Sequence, residues 1–328
     1  MVTAVAGVSF EVHRGETVGV VGESGCGKSV TALSILRLVQ EPGRITSGSI
    51  TFDGQDVLKL SADELLDYRG NDVSMIFQDP MSSLNPVLKV GFQIEEAMRA
   101  HTRFTKEQAK SRVVPLLKQV RMPDPESRAK EYPHQFSGGM RQRAMIAMAL
   151  ANTPGLVIAD EPTTALDVTV QAQIIELLRD LNQELSTAIM LITHNMAVVA
   201  SLCTRVIVMY AGQIVEQGPV EQIFDNPQHP YTWSLLRAIP RVDENQHERL
   251  RSIEGIAPDL IRPPSGCRFH PRCPFRVAEC FTDDPVLESV GPGQEARCWV
   301  KMERAYKEMD AATLIDVSPG AGSGYKPN

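Results

Sequence analysis

The segment from Gly22 to Ser29 most constrains the fold of this 328-residue chain. It matches the full phosphate-loop pattern G-x-x-x-x-G-K-[ST]. The loop residues are Gly22, Glu23, Ser24, Gly25, Cys26, Gly27, Lys28 and Ser29. An apolar run, Thr17 to Val21, precedes the loop, and helix-compatible residues follow it. This order favours a nucleoside triphosphate site over an unliganded glycine-rich turn, with Lys28 on the β- and γ-phosphates and Ser29 on Mg²⁺.

The composition narrows the class of protein further. A formal net charge of −7 argues against a nucleic-acid-binding surface. The longest unbroken apolar run, Ala144 to Ala151, is far shorter than the roughly 18 residues of a membrane-spanning helix. Residues 1–16 carry no cationic segment typical of a secretory signal. We expect an intracellular enzyme of roughly two domains that reaches a membrane only through partners.

An acidic pair far downstream is the second predicted element of the site. Asp160 and Glu161 follow the apolar run Leu156 to Ala159, which is typical of a strand buried on both faces. Open α/β sheets place their ligands at the carboxyl ends of such strands. Alone, the pair is as often a helix cap, but with the phosphate loop it predicts that Asp160 holds Mg²⁺ and Glu161 activates the attacking water.

A serine and two glycines form a third element, Ser137, Gly138 and Gly139. Ser137 is a favourable N-cap, and the glycines expose backbone amides at a second predicted helix start. Serine and glycine are ordinary loop residues, so the informative feature is their position one helix before the acidic pair.

In order and spacing, these motifs resemble the ATP-binding cassette (ABC) ATPase family. Gly22–Ser29 resembles its Walker A motif, and Ser137–Gly139 its signature. Leu156–Glu161 resembles Walker B. The remaining matches are Gln78 for the Q-loop, Ala165-Leu166-Asp167 for the D-loop and His194 for the switch histidine. Met140 and Asn195 depart from the usual family residues, glutamine and aspartate, without removing a backbone amide or a catalytic carboxylate.

The resemblance implies an α/β P-loop NTPase fold. It has a RecA-like core with a parallel sheet, a small antiparallel sheet and an inserted helical subdomain at about 79–140. It also implies that two cassettes sandwich two ATP molecules, with Ser137, Gly138 and Gly139 acting on the partner's ATP. Gln78 would sense the γ-phosphate and Mg²⁺, His194 would hold the γ-phosphate and water, and Asp167 would link the two sites. The family's usual first strand is expected to be missing here, which leaves the adenine-stacking residue unassigned.

Four cysteines lie close together in the C-terminal part, Cys267, Cys273, Cys280 and Cys298. Disulfides are unusual in an intracellular ATPase. Zinc sites usually contain C-x2-4-C pairs, and none of these spacings is that short. An iron–sulfur cluster tolerates wider spacing. The residues themselves leave a cluster, zinc and unligated thiols open.

Longer stretches resemble the ATP-binding subunits of dipeptide and oligopeptide ABC importers. They are residues 75–86, 132–135, 160–167 and 229–232, and the cysteine region. The resemblance implies an ATPase domain over 1–226 and a C-terminal extension over 227–328. The extension would carry a [4Fe–4S] cluster on the four cysteines, and residues 311–328 would form a disordered tail. It also implies ATP and Mg²⁺ as cofactors.

The same resemblance implies several partners: a second related ATPase, two membrane permeases and an extracytoplasmic binding protein. The chain would then lie peripherally on the cytoplasmic face of the membrane. Importers of nickel or glutathione are the alternative, because this subunit does not touch the cargo. A non-transporting ABC ATPase, such as a translation or DNA-repair factor, lacks support because the chain has one cassette and no sustained heptads. A regulator that has lost hydrolysis is disfavoured by the presence of Glu161 and His194.

Overall fold

A computed structural model describes residues 2–101, 104–164, 166–239 and 253–302. The tail expected to be disordered, 311–328, lies outside these residues. The strands are β1 (Thr17–Val21), β2 (Thr51–Phe52), β3 (Gln55–Asp56), β4 (Val73–Ile76), β5 (Leu156–Asp160), β6 (Ala188–Thr193), β7 (Arg205–Tyr210), β8 (Gln213–Pro219), β9 (Glu288–Gly291) and β10 (Gln294–Ala296). The helices are α1 (Lys28–Ile35), α2 (Ala62–Asp67), α3 (Pro80–Ser83), α4 (Val90–Arg99), α5 (Lys106–Gln119), α6 (Pro125–Arg128), α7 (Gly138–Leu150), α8 (Val168–Leu185), α9 (Met196–Leu202), α10 (Val220–Asp225) and α11 (Pro230–Arg237).

The described strands form one eight-stranded mixed sheet and a two-stranded ribbon. The order in the large sheet is β4-β5-β6-β1-β7-β8-β10-β9. Strands β4, β5, β6, β1 and β7 are parallel, and β7, β8, β10 and β9 are antiparallel. The ribbon pairs β2 with β3. The expected α/β class with a parallel core is confirmed, and most of the antiparallel part continues the main sheet.

Register within the parallel strands sets where their carboxyl ends lie. Val21 pairs with Thr193, and Asp160 pairs with Ile192. Ile76 pairs with Ala159. The chain therefore leaves β1, β4, β5 and β6 at one edge of the sheet, and the segments that follow these four strands meet there.

The parallel strands read as continuous apolar runs because both faces of the sheet are covered. Alternate residues point to opposite faces of a strand. In β5, Val157 and Ala159 belong to one buried cluster, together with residues of α4, α5, α7 and α8. Leu156 and Ile158 belong to a second cluster, together with residues of α1. The sheet is thus a doubly covered layer, as such runs predict.

The segment 79–140, expected as a helical subdomain, contains α3 to α6, and α7 begins at its end. A capping box at Thr105 starts α5, and its Oγ accepts from the Gln108 N–H at 3.3 Å. Helices α4 and α5 pack on each other and on α7. The signature helix α7 therefore joins the helical region to the sheet.

The region expected to be a C-terminal extension is joined to the sheet through β10, which pairs antiparallel with β8. The buried Glu216 carboxylate of β8 fastens the start of the extension. It accepts from the N–H groups of Gln228 (2.6 Å) and His229 (3.0 Å) and from Gln294 Nε2 (2.9 Å). Burial raises the Glu216 pKa to about 7, and these hydrogen bonds act in the opposite direction.

His229 gives this junction a predictable pH response. It is buried and caps α11, where Nδ1 accepts from the Tyr231 N–H at 3.0 Å. Burial, followed by the charge of Arg297, lowers the His229 pKa from 6.5 to about 3. A histidine pKa that is lower in the folded state gives stability above pH 6.5, which is lost as the pH falls toward 3. Between pH 6.5 and 5 this loss is about 2 kcal/mol.

We expect His229→Asn to remove that part of the pH dependence, because asparagine can cap the helix but does not titrate. Urea unfolding at pH 7 and pH 5 measures it in both proteins. The difference between the two proteins isolates His229, since all other titrating groups are shared. Equal losses of unfolding free energy in variant and wild type would contradict the assignment.

Within the described ranges, every helix is too short or too polar to span a membrane.

The N-terminal segment, residues 2–16, is described throughout and contains no strand. Within this segment, the Ala6 N–H donates to the Gly212 carbonyl at 2.7 Å, which holds the segment against the β7–β8 turn.

Candidate functional site

The phosphate loop follows β1, and two of its glycines are required by close backbone approach. Gly22 has φ 151°, and a Cβ there would lie 2.2 Å from the Met209 carbonyl oxygen. Gly27 has φ 106°, and its Cβ would lie 2.6 Å from the Ala4 carbonyl oxygen. A side chain at either position would displace backbone, so the loop can follow this path only with glycine.

Lys28 begins α1, and its ammonium group is buried inside the loop. It donates to the carbonyl oxygens of Gly22 at 2.7 Å and Glu23 at 3.0 Å. It also lies 3.8 Å from Cys26 Sγ. Burial raises the pKa of the Cys26 thiol, and the Lys28 charge opposes that rise. The loop thus concentrates one positive charge at the helix N-terminus, where phosphate oxygens bind.

Ser29 and Asp160 face each other across the gap between α1 and β5. The Ser29 hydroxyl hydrogen-bonds the Asp160 carboxyl, whose pKa is raised chiefly by burial. Asp160 is 7% exposed, and its Oδ1 is buried without a hydrogen-bond partner. A buried carboxylate oxygen without a partner is costly unless it meets a donor or a cation. These two oxygen groups therefore fit the hard-cation chemistry of Mg²⁺.

Glu161 lies at the centre of the polar groups at the sheet edge. Its Oε2 accepts from Gln78 Nε2 at 3.2 Å and from Thr164 Oγ1 at 2.9 Å. Its Oε1 lies 3.3 Å from His194 Nδ1. The segments after β4, β5 and β6 thus bring together Gln78, Glu161 and His194. Sequence reasoning missed Thr164, although it follows Glu161 in the same turn.

The three signature residues and Asp167 form a separate group. The Ser137 hydroxyl caps α7 by accepting from the Met140 N–H at 3.3 Å. The Asp167 carboxylate caps α8 by accepting from the Val170 N–H at 2.9 Å. A Cβ on Gly139 would lie 2.8 Å from Val170 Cγ1, so the starts of α7 and α8 are tightly packed. These contacts link the predicted signature to the predicted D-loop.

The four C-terminal cysteines lie within one another's electrostatic influence. Cys267, Cys273 and Cys280 are buried, and Cys298 is partly exposed. Burial raises the pKa of Cys273 and Cys298 to about 12, and the neighbouring cysteines add to the shift. Burial also raises the Cys267 pKa. Unligated, the thiols of Cys267, Cys273 and Cys298 are therefore protonated at neutral pH.

Backbone N–H groups two residues further along the chain point at three of the sulfurs. Phe269 donates to Cys267, Phe275 donates to Cys273, and Val300 donates to Cys298 at 3.3 Å. In the described ranges, however, no group of three or more His, Cys, Asp or Glu side chains is arranged to hold a metal ion. The expected [4Fe–4S] site is therefore not shown.

Comparison with known proteins decides the family. The family model for ABC transporters matches residues 5–164, and the model for the oligopeptide/dipeptide transporter C-terminal region matches 215–280. The dipeptide transport ATP-binding protein DppD of Escherichia coli is 50% identical, over 92% of this chain and 92% of its own. The chain belongs to the ATP-binding subunits of peptide ABC transporters.

Further relatives and solved structures agree with this assignment. The oligopeptide transport ATP-binding protein OppD of Bacillus subtilis is 50% identical, over 91% of this chain and 84% of its own. A probable peptide ABC transporter ATP-binding protein of Sinorhizobium fredii is 52% identical, over 90% and 89% of the two chains. An ATP-binding cassette solved as a dimer with ADP and Pi has a TM-score of 0.59 and 30% identity, over 66% of this chain and 90% of its own. As a member of this family, the protein is an ATPase.

Proposed function

We propose that this protein is the ATP-hydrolysing subunit of an ABC importer for dipeptides or oligopeptides. The hydrolytic part rests on the position of Glu161, which is held between Gln78, Thr164 and His194 at the sheet edge where the phosphate loop begins. The peptide cargo is supported by the named functions of the relatives and by the match of the C-terminal region to the oligopeptide/dipeptide model.

In this proposal the loop residues 22–29 bind the triphosphate, and Lys28 neutralises charge on its β- and γ-phosphates. Ser29, Asp160 and Gln78 would hold Mg²⁺, which would supply Lewis-acid stabilisation of the negative charge on the reacting phosphate. Glu161 accepts the proton of the attacking water, and His194 positions that water and the γ-phosphate. The rate comes mainly from positioning and charge neutralisation.

The assembly is also part of the proposal. Two cassettes close head to tail, so that Ser137, Gly138 and Gly139 contact the ATP of the opposite subunit, and Asp167 couples the two sites. The opposite subunit is a second, homologous ATPase, and both dock on two permeases that receive peptides from an extracytoplasmic binding protein. The chain is then peripheral, on the cytoplasmic face of the membrane, with its ATPase domain over 1–226 and its extension over 227–328.

Reconstitution tests the proposal. The chain is co-purified with the second ATPase and the permeases of its assembly, and the complex is placed in proteoliposomes with its binding protein. Uptake of labelled di- and oligopeptides that requires ATP supports the function. ATP-driven uptake of nickel or glutathione instead would identify the alternative cargo. ATP hydrolysis without association with any permease would refute an importer subunit.

For the C-terminal cysteines we propose a [4Fe–4S] cluster on Cys267, Cys273, Cys280 and Cys298. The mutual influence of the thiols and the N–H groups aimed at three sulfurs support it, because such hydrogen bonds tune cluster thiolates. The cluster would tie together an extension with little regular structure.

Anaerobic purification should give brown protein with about four iron and four sulfide per chain. Cys273→Ser should lose most of the iron, whereas Cys203→Ser, which changes a buried cysteine outside the group, should retain it. Metal analysis together with visible absorbance measures both. A colourless protein with one zinc per chain would favour the zinc alternative, and a metal-free folded protein would favour free thiols.

A further inference from the structure

The side chain of Glu23, inside the phosphate loop, is held by an arginine of the C-terminal extension. Arg272 Nη1 donates to Glu23 Oε2 at 2.6 Å, and Nη2 donates to Oε1 at 2.9 Å. Such a bidentate ion pair fixes the orientation of the two side chains as well as their distance. The Arg272 side chain is 5% exposed, so the pair is protected from solvent screening on the arginine side.

Every N–H group of Arg272 has an acceptor. Beside the two bonds to Glu23, Nε donates to the Glu254 carbonyl at 3.0 Å. Nη1 also donates to the Tyr210 hydroxyl at 3.3 Å, and Nη2 to the Ile253 carbonyl at 3.3 Å. A guanidinium with all five donors satisfied has one well-defined position. The extension therefore holds Glu23 at a fixed point.

The backbone of Glu23 is fixed from a second direction. Its N–H donates to the Tyr231 hydroxyl at 2.8 Å. The Tyr231 ring is fully buried and packs against Tyr210 and Phe269, with ring centroids 4.6 and 5.4 Å away. Phe269 lies between Cys267 and Cys273, so this aromatic cluster joins β7, α11 and the residues around these cysteines beneath the loop.

The same residue contacts the lysine of the phosphate site. Lys28 Nζ donates to the Glu23 carbonyl at 3.0 Å and to the Gly22 carbonyl at 2.7 Å. A shift of Glu23 would thus move acceptors of the ammonium group that is expected to meet the triphosphate. Arg272 and Lys28 are connected through one residue.

We propose that Arg272 is a positioning residue of the nucleotide site, through which the C-terminal extension holds the phosphate loop in its triphosphate-binding shape. This inference rests on the proposed ATP site. Without Arg272, the Glu23 carboxylate loses the one charged partner that the described residues give it, within a loop built for an anionic ligand. Both the loss of order and the unpaired negative charge lower the affinity for ATP.

Binding of MgATP to the purified full-length chain tests the proposal. Arg272→Gln should raise the Kd about 10- to 100-fold, since breaking one side of a buried charge pair is strongly unfavourable. Arg272→Lys should raise the Kd about 10-fold, because an ammonium group cannot form the bidentate pair. Arg262→Gln removes the same charge from an exposed position of the extension and should leave the Kd within twofold. All Kd values are measured well below each variant's Tm.

The double variant Glu23→Gln/Arg272→Gln separates positioning from general weakening of the fold. It lacks the unpaired carboxylate, so we expect it to bind MgATP more tightly than Arg272→Gln alone. In the assembled transporter, Arg272→Gln should raise the KM for ATP and change kcat only a few-fold. A purely structural role would instead lower the Tm and leave the Kd and KM of the folded protein unchanged.

The outcomes distinguish this inference from the proposed function. If wild type and all variants fail to bind MgATP, the ATP site itself is refuted. If wild type binds and folded Arg272→Gln binds within twofold of it, the positioning role is refuted. Should Arg272→Gln not fold, Arg272→Lys decides in the same way, and an unchanged Kd there also overturns the role.

Discussion

The variant Glu161→Gln should still bind MgATP but should hydrolyse it about 10²- to 10⁴-fold more slowly, the range expected for loss of a general base. Glutamine keeps the size of the side chain and an oxygen that can accept from Gln78 or Thr164. It cannot take a proton from the attacking water. The phosphate loop is on a different strand end and is unchanged, so the Kd for MgATP should remain within a few-fold of wild type.

Two measurements check this expectation: nucleotide affinity of the isolated chain, and ATP turnover of the assembled complex. Glu184→Gln is the matched control, because it makes the same chemical change at an exposed position of α8. It should alter neither quantity. Full turnover in Glu161→Gln would exclude this carboxylate as the base. If both MgATP binding and turnover were lost, Glu161 would instead be needed to bind MgATP in the ground state.

Sequence reasoning anticipated the parts of the site that depend on local pattern. The strand before Gly22, the helix after the phosphate loop and the acidic pair after an apolar strand are each marked by neighbouring residues, and the structure contains them as β1, α1 and the end of β5. The rule for parallel sheets placed the acidic pair at the carboxyl end of its strand. Gln78 and His194 were named through the family resemblance, and the structure places both in contact with Glu161.

Pairing between side chains far apart in the sequence could not be predicted from the sequence alone. Glu23 and Arg272 are 249 positions apart, and neither belongs to a pattern that points to the other. Their pairing depends on how the extension, including α11, packs beside β7. The same limit applies to β10, whose three residues give too weak a signal to predict that they extend the sheet at β8.

For the cysteines, the sequence predicted which residues come together but not whether they bind a metal. Their number and spacing predicted a group of neighbouring thiols. In the structure, burial raises the pKa of Cys298, and the other three cysteines lie close enough to add to that rise. Ligation, however, requires sulfur atoms placed around a metal, and spacing alone does not determine that geometry. The described residues do not show such an arrangement, so the metal remains a proposal.

Replacing Lys28 by methionine should weaken MgATP binding by about 2–5 kcal/mol, the cost of losing one partner of a close charge pair. This corresponds to roughly a 30- to several-thousand-fold rise in Kd. Methionine keeps the length of the apolar stem, so the packing of α1 should survive. It cannot donate to the Gly22 and Glu23 carbonyls or to phosphate oxygens.

Removal of the buried ammonium also tests whether the loop holds its shape without the charge. Because Arg272 and Tyr231 fix Glu23 independently of Lys28, we expect the Tm of Lys28→Met to lie within a few degrees of wild type. Lys110→Met, which makes the same change at an exposed position of α5, should bind MgATP as wild type does. Calorimetric titration with MgATP and thermal melting measure the two effects separately. Weak binding with an unchanged Tm assigns Lys28 to the ligand, whereas a large fall in Tm would assign it to the integrity of the loop.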